Sequence, residues 1–547
     1  MDQATCETAF PVLSPEEIAQ IERLGTRRVV PDKTMVFKAG DADIDLFVVE
    51  DGALEIRLPN DGNALVAVHE KGHFAGDIDL LTRRPVVVNA IARGETHLLQ
   101  IPGDKLREVL LRIPQISEKL LRAFQGRRAL LAAHGDVGLK VTGGAECPAT
   151  NLIREFLDKN FVPYTWRQPA ESSDGCDPDN ATSDHGPVVD CGGGVVLHSP
   201  GLQELAQCAG VWQECPTEIV DLAIVGAGPS GMSAAVYAAS EGISTLVLDG
   251  LGPGGQAAAS SKIENFIGFP SGLSGTELAT RAVIQMLKFG AQIVAPVRIK
   301  ELQKAQDGEE FHRLYLDCGA IVKARNVLVA SGLAWRRLEA LGSSRFEHVG
   351  IYYACTSTEV ISHSEEDVAV VGAGNSAGQA AMYLSEQSGR TVHILMRGNN
   401  LGASMSSYLV DRIQSTPNIK VHKNVEITKI IADRKLRGVE LCDSGDGPST
   451  LLVGALYVFI GARPQVDWLP PEIARDEGGY LLTGAEAAAT GLWPLTDREP
   501  CPLETTIPRV FAAGDVRMNS TKRVGFAVGD GALAVACVHT LRTPVRK

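Results

Sequence analysis

Two kinds of apolar pattern divide this chain. Before residue 101, short apolar segments alternate with polar positions and are punctuated by turn residues. Lys38-Ala-Gly-Asp41 closes a segment that opens at Pro31, Leu46-Phe-Val-Val-Glu50 alternates, Asp51-Gly52 turns, and residues 53–58 alternate again. Regularly spaced short strands with turn signals predict a β-roll or barrel. From Pro102 the period changes. Leu106, Val109, Leu110, Ile113, Ile116, Leu120, Leu121 and Phe124 recur at helical spacing, which predicts terminal helices up to Leu131. Residues 134–142 read as a linker. Over 143–216 the pattern predicts a small α/β segment: helix at 151–160, strand at 162–166, a polar loop at 168–186, strands at 187–189 and 195–197, and helix at 201–209. From Glu218 onward the chain is Gly- and Ala-rich α/β to its end.

The stretch from Val220 to Asp249 reads VDLAIVGAGPSGMSAAVYAASEGISTLVLD. It is strand, glycine turn, small-residue helix, strand and acid, the full context of a dinucleotide fingerprint. Gly226 permits the tight turn, Gly228 lets backbone approach a pyrophosphate, and Gly231 lets the helix pack closely on the strand. Pro229 and Ser230 open that helix, whose N-terminus favours anionic charge. Asp249 stands where a carboxylate accepts hydrogen bonds from a ribose hydroxyl. A second unit begins at Asp367, with the turn Gly372-Ala-Gly374-Asn375-Ser-Ala377 and a second strand ending in Arg397. An Arg in place of the acid suits a 2′-phosphate, hence NADPH, with NADH as the alternative. The expected fold class is α/β with two Rossmann-like units, preceded by a β-roll with C-terminal helices and a small α/β segment.

Composition narrows the partners. The chain has 547 residues, 52 basic and 66 acidic side chains, and a net charge of −14, which argues against nucleic acid or an anionic membrane as the main partner. No uninterrupted apolar run reaches membrane-spanning length, and residues 1–15 carry no secretory pattern, so a cytoplasmic location is expected. The 11 cysteines are scattered, odd in number and contain no Cys-x-x-Cys. This predicts reduced thiols rather than a disulfide framework, and no metal site.

Residues 1–135 resemble a cyclic nucleotide-binding domain, on Gly40-Asp41, residues 46–52 and the stretch FAGDIDLLTRRPVVVN from Phe74 to Asn89. The resemblance implies that Gly76 and Asp77 hold a ribose and that an Arg soon after Pro85 pairs with a cyclic phosphate. Val86 occupies that position here, with Arg83 and Arg84 as substitutes out of register. Residues 143–216 resemble a thioredoxin or glutaredoxin-like domain. Cys147-Pro-Ala-Thr150 stands where its redox motif opens the first helix, without a second Cys, and Gly186-Pro187 stands at its cis-Pro loop. Cys147 otherwise reads as a surface Cys.

Residues 218–547 resemble the thioredoxin reductase family. The motifs are Gly226 to Gly231, Gly254-Gly255-Gln256, Ile263-Glu-Asn265-Phe266, Gly268-Phe-Pro270, Phe289-Gly-Ala291, Gly372 to Ala377 and Ala512-Ala-Gly514-Asp515. The resemblance implies FAD held in two chain segments, 218–333 and 462–547, by Gly226, Gly228, Gly231, Asp249, Gly255, Gln256, Asn265, Gly514 and Asp515. It implies NADPH held within 334–461 by Gly372, Gly374, Asn375, Ala377 and Arg397, and a homodimer. It also implies hydride transfer from NADPH to the flavin and onward to a disulfide or small redox protein. The family's Cys-x-x-Cys precedes the second fingerprint. Here Cys355 stands alone, with Thr358 where its partner would fall, and a dithiol relay needs both thiols. Cys355 reads as an inert residue or a redox centre. Two further readings are a ferredoxin or flavodoxin–NADP reductase-like enzyme, and a non-catalytic redox or nucleotide sensor using the roll.

Overall fold

The structure is a computed structural model. It describes residues 8–59, 63–133, 138–144, 147–169, 186–260, 262–306, 308–347, 349–353, 355, 363, 366–386, 389–433, 435–443 and 448–542. The polar loop expected at 168–186 therefore lies almost wholly outside the described residues, as does Thr358.

The N-terminal roll is a six-stranded antiparallel sheet. Its two long strands, Leu46–Leu58 and Asn89–Ile101, pair along their length, with irregularities at Asp51 where the turn residues bend them. Alternation places Phe47, Val49, Leu54 and Ile56 inside with Phe37 and Ala90. The helical stretch after the roll is two helices, Gly103–Arg112 and Pro114–Ala133. Pro114 breaks the ladder and opens the second helix, since it lacks the N–H that would continue the first.

The small segment is a four-stranded sheet in the order Val195–His198, Val188–Gly192, Leu139–Thr142, Tyr164–Arg167. Leu139–Thr142 corrects the linker expected there, for it is a central strand. It pairs parallel with Tyr164–Arg167 and antiparallel with Val188–Gly192. Four residues with two inward side chains, Leu139 and Val141, are too short a signal to read as a strand. Helix Pro148–Lys159 covers the sheet with Ile153, Phe156 and Leu157.

Cysteine counting also misled. Cys191 and Cys208 form a disulfide with Cα atoms 5.8 Å apart, and Cys147 is also in a disulfide. The sheet brings the end of one strand beside the end of helix Leu202–Cys208, which spacing along the chain cannot reveal. Cys147 is not a surface residue but is 2% exposed at the helix N-cap. The Gly186–Pro187 bond is trans, and Ala295–Pro296 is cis among the described residues.

The remainder contains two units, each built around a core of parallel strands, and the first also carries antiparallel strands at one edge. In the first, Val220–Val225 lies between Thr245–Leu248 and Ile321–Val329, and Val510–Ala512 returns from the far end of the chain to pair with Ile321–Val329. In the second, Val368–Val371 lies between Val392–Met396 and Ala455–Val458. The chain crosses between them on a two-stranded ribbon, Leu333–Trp335 with Ala462–Pro464.

Helix Val524–Arg542 bears on the membrane expectation without overturning it. Its stretch Val524–Leu541 has a mean hydropathy of 1.6 and is long and apolar enough to cross a bilayer by length and composition. Scattered polar residues such as Asp530 hide it from a search for unbroken apolar runs. In this fold Ala534, Val535, Cys537 and Val538 pack in the core of the first unit. Gly531 allows a close crossing with helix Pro229–Ser240, since an added Cβ would lie 2.2 Å from the Ser230 carbonyl.

Candidate functional site

In the first unit the glycines divide their work as chain geometry requires. Gly226 has φ +107°, and an added Cβ would lie 2.4 Å from the Ala330 carbonyl oxygen. A Cβ on Gly231 would lie 1.9 Å from the Gly226 carbonyl, so helix and turn touch directly. Gly228 differs, for its nearest neighbour would be Gly255 Cα at 3.9 Å. Its glycine is not demanded by the protein's own packing, which leaves the turn open to an approaching group. Pro229 at the first helical position fixes φ and wastes no N–H.

Distant parts of the chain close around this turn. Gly254 N–H donates to the Ala227 carbonyl at 2.8 Å, and Gly255 stacks on Gly228. Gln256 donates to the Leu333 carbonyl, tying this loop to the ribbon between the units. Gly514, at φ +76°, sits against Ser230, and its N–H donates to Asp530 Oδ2 at 3.0 Å. Asp530 in turn pairs with Arg517 at 3.1 Å. Burial pushes the Asp515 carboxyl above the usual range, opposed by Lys522, whose ammonium donates to the Asp515 carbonyl at 2.6 Å. Two buried hydroxyls beside the turn, Ser230 Oγ and Ser331 Oγ, have no hydrogen-bond partner. An open glycine, a helix N-terminus and two orphan hydroxyls fit a phosphate-bearing ligand.

Asp249 is placed at the expected strand end. Its Oδ2 accepts from Ala227 N–H at 2.8 Å, and Oδ1 from Leu251 and Gly252 N–H at 2.9 and 2.8 Å. Its carboxylate thus locks two loops together, a role that spacing alone does not suggest. Asn265 lies exposed on a loop where Phe266 and Phe269 stack at 5.9 Å and Ile267 is 93% exposed.

The second unit repeats the turn. Gly372 has φ +134°, and an added Cβ would meet the Phe459 carbonyl at 2.4 Å, while Gly374 has nothing within 4 Å. Ala377 is fully buried in the unit's core. Asn375 Oδ1 accepts from Ser406 N–H at 2.8 Å, so the start of helix Ser407–Ser415 is anchored beside the turn. Ser406 Oγ is another buried hydroxyl with no partner. Arg397 stands at the strand end, exposed, with Glu426 at 3.9 Å. Cys355 is partly buried and packs against the core of the second unit. Tyr352 hydroxyl meets His363 Nε2 at 3.0 Å, and His363 Nδ1 meets Glu366 at 2.9 Å. This chain of polar side chains spans residues with no recognisable spacing.

In the roll, Gly76 and Asp77 are already engaged. The Gly76 carbonyl accepts from Arg127, and Asp77 Oδ2 lies 3.4 Å from Arg128. Arg128 also pairs with buried Asp79 at 3.1 Å. Burial pushes the Asp79 carboxyl up, with Arg128 opposing. Both arginines come from helix Pro114–Ala133 and escape notice in the sequence because they sit within an apolar-periodic stretch. Val86 is 5% exposed in the roll's core. Arg83 points to Asp43 at 3.8 Å on the surface, and Arg84 donates to the Asn160 carbonyl of the small segment. Neither takes the place of a phosphate-binding Arg inside the roll.

Comparison with known proteins fits this arrangement. A family model described as Pyridine nucleotide-disulphide oxidoreductase matches residues 220–531, and one described as Cyclic nucleotide-binding domain matches residues 27–112. A thioredoxin reductase of Listeria innocua is 30% identical over 319 residues, covering 58% of this chain and 92% of that protein. An NADH dehydrogenase of Ferdinandcohnia aciditolerans is 29% identical over 316 residues, 57% of this chain and 56% of its own length. The chain thus spans little more than half of that dehydrogenase. The crystal structure of T. acidophilum thioredoxin reductase aligns with TM-score 0.50 at 27% identity, over 59% of this chain and 98% of that one. With its two open glycine turns and a family match over more than half its length, the chain belongs to the pyridine nucleotide-disulphide oxidoreductase family, thioredoxin reductase-like, with a cyclic nucleotide-binding-like roll at its N-terminal end.

Proposed function

We propose that the chain is an oxidoreductase that holds FAD at the first turn and NADPH at the second, and delivers electrons to a disulfide or a small redox protein. The carrying observation is that both turns leave their middle glycine, Gly228 and Gly374, facing open space beside buried hydroxyls without partners. Gly226, Gly228, Pro229, Ser230, Gly231, Gly255, Gln256, Gly514 and Asp515 would surround FAD, with Asp249 fixing the loops. Gly372, Gly374, Asn375, Ala377 and Arg397 would surround NADPH. Bound flavin supplies acceptance of hydride from a reduced nicotinamide and onward electron transfer. The residues' part is to bind and orient, and the helix N-termini at Gly228 and Gly374 face the phosphates.

The acceptor lies outside the module's own thiols on this reading. Cys355 stands without a second Cys at the family's spacing, and one thiol cannot both attack and resolve a disulfide. Cys147 and Lys159 stand at opposite ends of a 12-residue helix, about 18 Å apart at 1.5 Å per residue. Lys159 is the end that reaches the flavin-side loop, through the Gly255 carbonyl at 3.3 Å. Exposed Tyr237 and Leu533 on the crossing helices offer apolar area for a homodimer, and a cytoplasmic location belongs to the same proposal. Anaerobic reduction of the purified chain with NADPH, followed by reoxidation with thioredoxin, a small disulfide, ferredoxin or flavodoxin, tests the acceptor. Rapid reoxidation by thioredoxin that is lost in Cys355→Ser would overturn the view that Cys355 is inert. Reoxidation by ferredoxin or flavodoxin alone would favour the ferredoxin reductase reading.

A further inference from the structure

The loop 249–255 is held from two sides. One side is the fingerprint turn, through Asp249 with Ala227, Gly254 with Ala227 and Gly255 with Gly228. The other side belongs to a different part of the chain. Asn160, just past helix Pro148–Lys159, donates its side-chain amide to the Leu251 carbonyl at 2.8 Å. Lys159 Nζ donates to the Gly255 carbonyl at 3.3 Å. The contact is close enough to exclude a side chain. Gly252 has φ +153°, and a Cβ there would lie 2.7 Å from Asn160 Nδ2 and 3.1 Å from Lys159 Cβ.

Asn160 is itself held by the roll. It is 3% exposed, and its carbonyl accepts from the Arg84 guanidinium. Arg84 lies in the segment of the roll that would contact a cyclic phosphate in its relatives, yet it turns outward to the small segment. Its Nε is buried without a partner, and burial lowers the guanidinium pKa to about 10. The Asp79 carboxylate offsets part of that burial, and a desolvated guanidinium loses much when a hydrogen-bond partner is removed. Neighbouring contacts close the junction. Gln213 donates to the Thr82 carbonyl at 3.2 Å, and a Cβ on Gly210 would lie 2.6 Å from Pro85. Thr82, Arg84, Asn160, Phe161 and Pro253 line a void of only about 10 Å³, the size of a single water at most.

We propose that Arg84, Asn160 and Lys159 are positioning residues for the dinucleotide turn, through which the roll and the small segment clamp loop 249–255 onto Gly226–Gly228. The proposal rests on the reading that this turn holds FAD. It gives the roll a function that needs no cyclic nucleotide: its stretch from Phe74 to Asn89 is a strut for the flavin site. Residues touching loop 251–255 set how tightly the cofactor is retained, while the second turn lies outside this chain of contacts.

The test uses the full chain loaded with FAD and follows flavin release by recovery of its fluorescence. Arg84→Ala and Asn160→Ala should each speed release about tenfold, and Lys159→Ala less. Arg84→Lys should restore part of the retention, because an ammonium can still donate to the Asn160 carbonyl. Arg83→Ala, beside it on the surface, should release FAD as wild type does. The KM for NADPH should not move in any of them. Lys159 keeps part of its side chain in solvent, where it also pairs with Glu155 at 3.6 Å, so its variant keeps the test open if Asn160→Ala fails to fold. Release rates equal to wild type in both Arg84→Ala and Lys159→Ala would overturn the clamp. A wild-type chain that never retains FAD would overturn the FAD reading and the clamp with it.

Discussion

The two glycine turns begin as near copies and end as different devices. Both have a first glycine at positive φ pressed against a carbonyl, Ala330 for Gly226 and Phe459 for Gly372, and both leave the middle glycine open. They part at the third position and at the strand end. Gly231 has no room for a methyl group, whereas Ala377 carries one. Asp249 binds three backbone N–H groups and seals its loop over the turn, whereas Arg397 stands in solvent with a distant carboxylate. Gly255, Gly514 and the end of helix Pro148–Lys159 close around the first turn, while the second is flanked chiefly by Asn375 and Ser406. A site closed by several chain segments suits a cofactor that stays, and a more open site suits one that exchanges each cycle.

The contrast can be broken one residue at a time. Gly231→Ala should have the largest effect: its Cβ would lie 1.9 Å from the Gly226 carbonyl, overpacking worth about 1–3 kcal/mol or more. Loss of bound flavin and a lowered melting temperature check it. Gly372→Ala should abolish NADPH-dependent reduction while the purified protein stays yellow, because the strain at φ +134° is confined to the second turn. Asp249→Ala leaves three loop N–H groups without their acceptor and should weaken FAD binding by roughly ten- to a hundredfold, measured on apo-protein by fluorescence quenching. Arg397→Ala should raise the KM for NADPH by roughly tenfold and leave that for NADH unchanged.

The smallest expected effect is on pH. His393 and His422 meet at 2.9 Å between adjacent strands of the second unit. Burial holds both imidazoles below their usual range. The charge of His422 adds to this for His393, and that of Lys420 for both. Their folded-state pKa values are depressed, so the unfolded chain binds more protons as pH falls. The second unit should therefore lose stability below about pH 6.5. His393→Gln should flatten that dependence in thermal unfolding followed across pH.

Much of this contrast is written in the sequence. The glycine spacing, the flanking strands and the strand-end Asp and Arg are local features, and local features survive reading in one dimension. The helix periodicity after the roll is legible for the same reason, although it runs through the break at Pro114 without marking it. What escapes is contact between distant segments. Leu139–Thr142 becomes a strand only because two partners flank it. Cys191 and Cys208 are bonded only because a strand end and a helix end meet. Arg127 and Arg128 lie in an apolar-periodic helix and show their role only when they reach the roll's Gly76 and Asp79. The spacing predicts that Asp249 faces a ribose, yet its visible work is on backbone N–H groups that no motif encodes.

The central claim is that the first turn retains FAD and the second exchanges NADPH. The most direct measurement loads the chain with both, passes it through a desalting column, and assays what stays bound. FAD should co-elute stoichiometrically and NADPH should be lost, and the recovered protein should bleach when NADPH is added back without oxygen. Retention of NADPH with loss of FAD, or a flavin band that NADPH leaves unchanged, would contradict the account.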